Sequence, residues 1–298
     1  MIIKRRKCFL VTTKHLEEAL WFRDDEDFIT GMNHVAVQTA LMPEVILLAY
    51  ILMSNHVHFV LRGTWDEVVA YVNSYKGRFS RYLNRKYGTI EFFRRNALDI
   101  KELPEDEPEA LERALAYVQM NCVAANICLY PGQYPWGTGN SFFVDKGTVH
   151  HYRRLGDLSE RTLIRLLHSG DARKLPKHWL LSDAGYVLPS SYVATKTVEA
   201  IFRSPKRMLY YLNTSSKARK RLEAEEENMP AFRDQVILSA LPDLLQSLFQ
   251  KSSFSALSLQ QQAEALRQIR FRFSAGIHQA ARVCGITYAD AAHLLDTA

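Results

Sequence analysis

The first half of the chain alternates short apolar runs with amphipathic stretches of helical length. Residues 7–13 (KCFLVTT) combine β-branched and aromatic side chains and predict a strand. Residues 24–42 begin with acidic side chains and end just before a proline, which predicts a helix. The apolar run 44–53 and the following residues 56–61 predict two strands that pair as an antiparallel hairpin.

The same patterning continues beyond this hairpin. Thr64 is placed to cap a helix over residues 66–86, and Gly88 is placed to end it. A fourth strand is predicted within residues 90–100, and a further helix over residues 110–125. This order of elements predicts an α+β fold, in which a ferredoxin-like antiparallel sheet carries helices on one face.

The second half of the chain has a different pattern of apolar and polar residues. It consists mainly of short amphipathic segments separated by proline-containing loops, which predicts helices rather than strands. We therefore predict a sheet domain over residues 1–148 and a mostly helical region over residues 149–298.

The C-terminal segment 258–298 has the pattern of a helix-turn-helix. Ala281 precedes Gly285 by four residues, so that a small side chain would let two helices approach and glycine would make the turn between them. A purely structural helical hairpin has the same pattern. If the segment contacts DNA, we expect Gln279 and Tyr288 to take part.

Composition excludes several classes of protein. No stretch approaches the roughly 20 uncharged apolar residues of a membrane span, and no signal-peptide pattern follows the first residues, so we expect a cytoplasmic protein with no membrane partner. The four cysteines form no C-x-x-C pair, which argues against a zinc ribbon or a redox dithiol.

The charge of the chain favours a polyanionic partner. The formal net charge is +6, and basic residues cluster with aromatic ones, above all in residues 75–88 (YKGRFSRYLNRKYG). Such a mixture can contact phosphates and stack on bases, as single-stranded nucleic acid requires, although solvated helix faces give the same pattern. The candidate nucleic-acid contacts in the first half are Lys7, Lys76, Arg78, Arg81, Arg85, Arg94 and Arg95.

Two small groups of residues can carry chemistry. His56 and His58 are two apart in a predicted strand, so both imidazoles project from one face and could chelate a divalent ion. Tyr117 and Asn121 are four apart in a predicted helix and share one helical face. The alternatives are two hydrogen-bonded histidines, and an aromatic residue beside a surface amide.

The two groups together resemble a known family. The segment ILMSNHVHFVLRG resembles the histidine-hydrophobic-histidine strand of the single-strand (HUH) tyrosine transposases, and LAYVQMNCVAANICLYPGQYPWGTGNSFF resembles their later Tyr-x-x-x-Asn helix with its aromatic turn. The resemblance extends over residues 5–145 with the motifs in the same order, and it is strongest to the REP-associated tyrosine transposases.

The resemblance implies a role for each residue. His56 and His58 would bind Mg²⁺ or Mn²⁺ with Asn121 as a third ligand, and Tyr117 would attack a DNA phosphate to leave a 5′-phosphotyrosine link and a free 3′-hydroxyl. The DNA would be a single strand that carries a hairpin, as in REP elements. This chain has Cys122 where those relatives have proline after the Asn, which permits a longer helix.

Other functions remain open at this stage. The chain could be a DNA-binding protein of the same fold that has lost strand transfer. An initiator nuclease of replication or conjugation shares the histidine pair but usually places its tyrosine differently. A zinc hydrolase would need a third strong ligand near the pair. The sequence also leaves open whether the protein is a monomer or a homodimer, and whether a partner subunit completes the site.

Overall fold

The computed structural model describes residues 5–13, 20–88, 98–125, 127–144, 152–216, 232–273 and 275–297. The α+β class is confirmed, since four antiparallel strands form one sheet in the order β2-β3-β1-β4. The strands are β1 (Lys7–Thr13), β2 (Ile46–Met53), β3 (His56–Gly63) and β4 (Leu98–Glu102). The predicted hairpin forms between β2 and β3.

The described residues of the first half form the helices α1 (Asp25–Leu41), α2 (Trp65–Tyr87), α3 (Ala110–Gln119) and α4 (Asn121–Ala124). Thr64 and Glu67 form a reciprocal capping box at the start of α2, and Gly88 ends this helix at a φ of 85°. The helix predicted over residues 110–125 is divided between α3 and α4. The Asn121 amide donates to the carbonyl of Tyr117 at 2.9 Å, in competition with the regular backbone bond of that turn.

Helices cover both faces of the sheet. The Phe59 ring of β3 packs against Tyr71 and Tyr75 of α2, so α2 lies on the face of odd-numbered β3 residues. The neighbouring residue His58 points the opposite way and meets Tyr117 of α3. The prediction placed the helices on one face of the sheet, whereas the structure has α2 on one face and α3 on the other.

The second half is mostly helical, as predicted. The helices that the described residues form here are α5 (Glu160–Leu166), α6 (Thr195–Phe202), α7 (Pro205–Thr214), α8 (Asp234–Phe249), α9 (Leu259–Phe273), α10 (Ile277–Cys284) and α11 (Tyr288–Thr297). A small sheet pairs β5 (Arg153–Arg154) with β6 (Leu180–Leu181). No helix in the described part of the chain has the length and apolar character that crossing a membrane demands.

In the described part of the chain, the buried apolar side chains form two clusters. The first extends from Phe9 to Leu212, so it joins the sheet domain to the beginning of the second half, and the second extends from Ile237 to Leu294. The boundary near residue 148 stays a prediction.

The C-terminal segment folds into the predicted arrangement of helices. Helices α9, α10 and α11 pack on one another. Between α10 and α11, Gly285 adopts a φ of 72°, in the left-handed region that favours glycine, and Ala281 is only 3% exposed. The turn and the small buried residue thus lie where the sequence places them.

The free edge of β2 is covered by a short segment around Gly137. The Leu52 N–H donates to the Trp136 carbonyl at 2.8 Å, and the Thr138 N–H donates to the Tyr50 carbonyl at 3.0 Å. A Cβ atom at Gly137 would lie 2.8 Å from the Tyr50 carbonyl oxygen. Glycine is therefore required for this close approach of two backbones.

We expect Gly137→Ala to destabilise the protein by about 1–3 kcal/mol, because the new methyl group must push the covering segment away from β2. The free energy of unfolding in urea measures the effect. Gly170→Ala is the matched control, since a Cβ there meets nothing within 4 Å. Equal stability of the two variants would contradict this account of the edge.

Candidate active site

The two histidines lie side by side on the α3 face of the sheet. His56 pairs with Met53 and His58 pairs with Ile51 across the β2–β3 ladder. Their ring centroids are 4.8 Å apart, and the rings are nearly perpendicular, at 86°. The residues on the other face, Val57 and Phe59, are fully buried. The predicted alternation of the strand is thus present.

A neighbouring oxygen orients each imidazole. The Oγ1 atom of Thr12 lies 2.9 Å from Nδ1 of His58, and Oδ1 of Asn55 lies 2.8 Å from Nδ1 of His56. An oxygen bonded to the ring nitrogen that does not bind the metal fixes the orientation and tautomer of a metal-binding histidine. A cation shared by the two rings would accordingly be bound through Nε2 of each.

Tyr117 lies beside His58 within the same chain. The two ring centroids are 5.6 Å apart, with an interplanar angle of 86°. Tyr117 is partly buried, whereas His58 is 3% exposed. The sequence left open whether the histidines and the tyrosine meet in one subunit, and a single chain brings them together here.

Asn121 is held by its own helix. Its Nδ2 atom donates to the carbonyls of Tyr117 at 2.9 Å and Val118 at 3.2 Å, and its side chain is 3% exposed. Coordination of a cation by this residue would therefore use Oδ1.

The donor set fits a cation that accepts mixed nitrogen and oxygen ligands. The described residues contain no group of three or more His, Cys, Asp or Glu side chains suited to a metal ion. Ligands beyond the two imidazoles would have to be an amide oxygen, water or a substrate phosphate. Imidazole favours Mn²⁺ over Mg²⁺ on affinity, while both ions accept oxygen ligands.

At least two clefts lined by described residues adjoin this group. A cleft of about 470 Å³ between α3 and α7 includes Tyr117 and Leu10. A second of about 490 Å³ includes Asn55 and His56 and faces α8 and α10. Both volumes lie within the range of roughly 300–1,000 Å³ that is usual for ligand sites.

A buried carboxylate joins the C-terminal helices to the turn that precedes His56. Asp234 is 4% exposed and accepts hydrogen bonds from Ser54, Gln279 and Arg282, the last through Nε at 3.0 Å. Neither Asp234 nor Arg282 was predicted from the sequence to lie near the site. No local pattern marks them, because they lie 48 residues apart in sequence.

The two residues predicted to contact DNA in this region have partners within the chain. Gln279 donates to the Phe232 carbonyl at 2.7 Å and to Asp234 at 2.9 Å. The Tyr288 ring stacks on His278, with centroids 4.1 Å apart. DNA contact by either residue stays a prediction.

Three predicted arginines line a separate cleft. Arg78, Arg81 and Arg85 of α2 border a space of about 420 Å³ together with Arg173. Arg78 is already paired with Asp171 at 2.8 Å. Since α2 lies on the face of the sheet opposite α3, this basic cleft and Tyr117 are on different sides of the molecule.

The remaining basic residues predicted to contact nucleic acid are Lys76, Lys7, Arg94 and Arg95. Lys76 is only 4% exposed, and burial lowers the pKa of its ammonium group, so it does not belong to the exposed basic surface where it was predicted. Lys7 forms an ion pair with Glu102. Arg94 and Arg95 lie outside the described residues.

Other tyrosines on α2 are poorly placed to act as nucleophiles. Tyr75 is fully buried, and Tyr82 and Tyr87 donate to Asp27 at 2.9 and 2.8 Å. Burial raises the pKa of all three hydroxyl groups above the usual value. Of the tyrosines considered as nucleophiles, Tyr117 is the one that lies against the histidine pair.

Comparison with protein-family models, curated proteins and solved structures finds no match. Functional assignment for this chain therefore rests on the chemistry and geometry of its own residues.

We expect Thr12→Val to weaken Mn²⁺ binding by about 10- to 100-fold, because it removes the oxygen that orients His58. Isothermal titration calorimetry with Mn²⁺ measures the affinity. Thr12→Ser keeps the hydroxyl group and should bind Mn²⁺ about as tightly as the parent protein. If both variants bind Mn²⁺ as tightly as the parent protein, Thr12 does not orient a metal ligand.

Proposed function

We propose that the protein cuts and rejoins single-stranded DNA as an HUH tyrosine transposase, at hairpin-containing DNA of the REP type. The observation that carries this proposal is the contact between the Tyr117 ring and His58, with His56 on the same face. A tyrosine beside two imidazoles provides both a nucleophile and a cation site for phosphoryl transfer.

The chemistry follows from this arrangement. Tyr117 Oη attacks the scissile phosphorus and forms a phosphotyrosine bond to the 5′ phosphate of the downstream strand. The phenolic proton leaves, the bond from phosphorus to the 3′ oxygen breaks, and that oxygen takes up a proton. Mg²⁺ or Mn²⁺ held by His56 and His58, with Asn121 as a further ligand, would offset charge on the phosphate oxygens. Attack by a 3′-hydroxyl on the phosphotyrosine reverses these steps and rejoins a strand.

The basic cleft on α2 supports DNA as the partner. Guanidinium groups form bidentate hydrogen bonds with phosphate, and Arg81, Arg85 and Arg173 border one space there. This cleft also favours a second candidate function, that of a DNA-binding protein without strand transfer. DNA bound there would lie on the face of the sheet opposite Tyr117 and need not be cut.

We expect Tyr117→Phe to abolish the covalent protein–DNA adduct while DNA binding stays within about 3-fold of the parent, because the ring remains and only the attacking oxygen is removed. A panel of labelled hairpin oligonucleotides with Mn²⁺, analysed on denaturing gels, detects the adduct. Tyr130→Phe is the control, since Tyr130 is 58% exposed and lines neither of the two clefts beside Tyr117 and His56. A labelled strand that still becomes attached to the Tyr117 variant would rule out this nucleophile.

We also expect chelation by EDTA, or His56→Ala, to stop cleavage without unfolding the chain, because the phosphate then lacks its charge-neutralising ion. Cleavage of the same oligonucleotides is compared with circular dichroism. His178→Ala, which removes an exposed histidine, serves as the control. Cleavage that never responds to added or removed metal would contradict the proposed site.

A further inference from the structure

Helix α7, which lies outside the segments that resemble the transposases, forms the second wall of the Tyr117 cleft. Tyr210 and Tyr211 of α7 face the space that Tyr117 and Leu10 border from the other side. The volume of about 470 Å³ is enough for a small ligand. The group proposed as the nucleophile thus lies at the edge of a cleft built partly by the second half of the chain.

Charged contacts hold α7 against α3. Arg207 Nη2 donates to Glu112 at 3.2 Å, to Glu109 at 3.3 Å and to the Tyr211 hydroxyl at 3.1 Å. A hydrogen bond from Tyr211 lowers the pKa of the Glu109 carboxyl, which keeps it ionised beside the arginine. Several bonds therefore fix the position of this wall relative to Tyr117.

Tyr210 presents an aromatic surface at the cleft. Its side chain is 60% exposed, and its ring meets Tyr211 edge-to-face, with centroids 5.4 Å apart and an interplanar angle of 84°. The perpendicular neighbour supports the ring while leaving much of it accessible. An aromatic ring in such a position can stack on a flat ligand without a large conformational change.

The charges of the cleft suit a neutral ring attached to a phosphate. Glu107 is paired with Arg113, and Glu109 with Arg207, so these carboxylates are compensated. Lys101 forms no ion pair with any residue that the structure describes, and it faces the same space. The cleft therefore combines an exposed aromatic ring with one cation that is available for a phosphate.

We infer that the α3–α7 cleft binds one unpaired nucleobase of the DNA strand, stacked on Tyr210, with Lys101 contacting a phosphate of the same strand. This inference rests on the proposed function, since it takes the strand attacked by Tyr117 as the ligand. Stacking on an aromatic ring is tolerant of base identity, so the site holds the strand in place more than it reads its sequence.

The test measures binding of a fluorescein-labelled 15-nucleotide oligo(dT) by anisotropy, at fixed salt and without metal. We expect Tyr210→Ala to lower affinity about 10-fold, since stacking of one base is lost, and Tyr210→Phe to retain affinity because the ring is kept. Leu209→Ala is the matched control, because Leu209 is the preceding residue, is 55% exposed and does not line the cleft. In a separate titration over a range of salt concentrations, Lys101→Gln should reduce the dependence of affinity on salt.

A second readout locates the base. Oligo(dT) with 5-iododeoxyuridine is irradiated with the protein, and the crosslinked peptide is identified by mass spectrometry. We expect the peptide that contains Tyr210, and loss of this crosslink in Tyr210→Ala.

The outcomes separate the two proposals. Unchanged affinity in Tyr210→Ala together with crosslinks elsewhere overturns the nucleobase site, even if the hairpin panel still yields the Tyr117 adduct. Reduced affinity in Tyr210→Ala without any adduct from the parent protein supports the nucleobase site and contradicts the strand-transfer function.

Discussion

The packing of α3 across the sheet is the constraint on which the candidate site depends. In β3, Phe59 turns towards α2 and is fully buried, while His58 turns towards α3 and meets Tyr117. A slip of one residue in the register of β3 would exchange these faces and place the imidazoles in the apolar core, at a large cost in desolvation. The burial of Phe59 and Val57 therefore stabilises the fold and also fixes where the histidines point.

The second half of the chain takes part in the surroundings of this site. Arg207 joins α7 to α3 on the Tyr117 side, and Asp234 joins α8 and α10 to the Ser54 turn on the His56 side. A carboxylate as buried as Asp234 is tolerated because a guanidinium and two neutral donors satisfy it. Loss of Arg282 alone would leave that charge uncompensated, which is more damaging than loss of both partners together.

The sequence predicted the features that local rules govern. The bounds of β1, the cap of α2 at Thr64 and the shared face of His56 and His58 follow from alternation and capping within a few residues. It did not predict that Thr12 lies beside His58, because the register of β1 on β3 depends on residues 46 positions apart. The position of α7 against α3 was missed for the same reason. The burial of Lys76 was missed because the charge pattern of α2 does not show which of its basic side chains face the core.

The separation of the basic cleft from Tyr117 constrains any DNA that uses both. Arg81 and Arg85 border the cleft on the α2 side, and the sheet lies between that helix and α3, which carries Tyr117. Each packed layer of sheet or helix is on the order of 10 Å thick. A single phosphate therefore cannot contact both Tyr117 and the arginines. Within the proposed function, a short linear strand would occupy the Tyr117 side alone. A strand that carries a hairpin has a second, base-paired part, and the unpaired residues that lead to it can pass the edge of the sheet so that its backbone lies on the arginines. Within that proposal, a strand with a hairpin contacts both the Tyr117 side and the arginine cleft, whereas a short linear strand leaves the arginines without a phosphate.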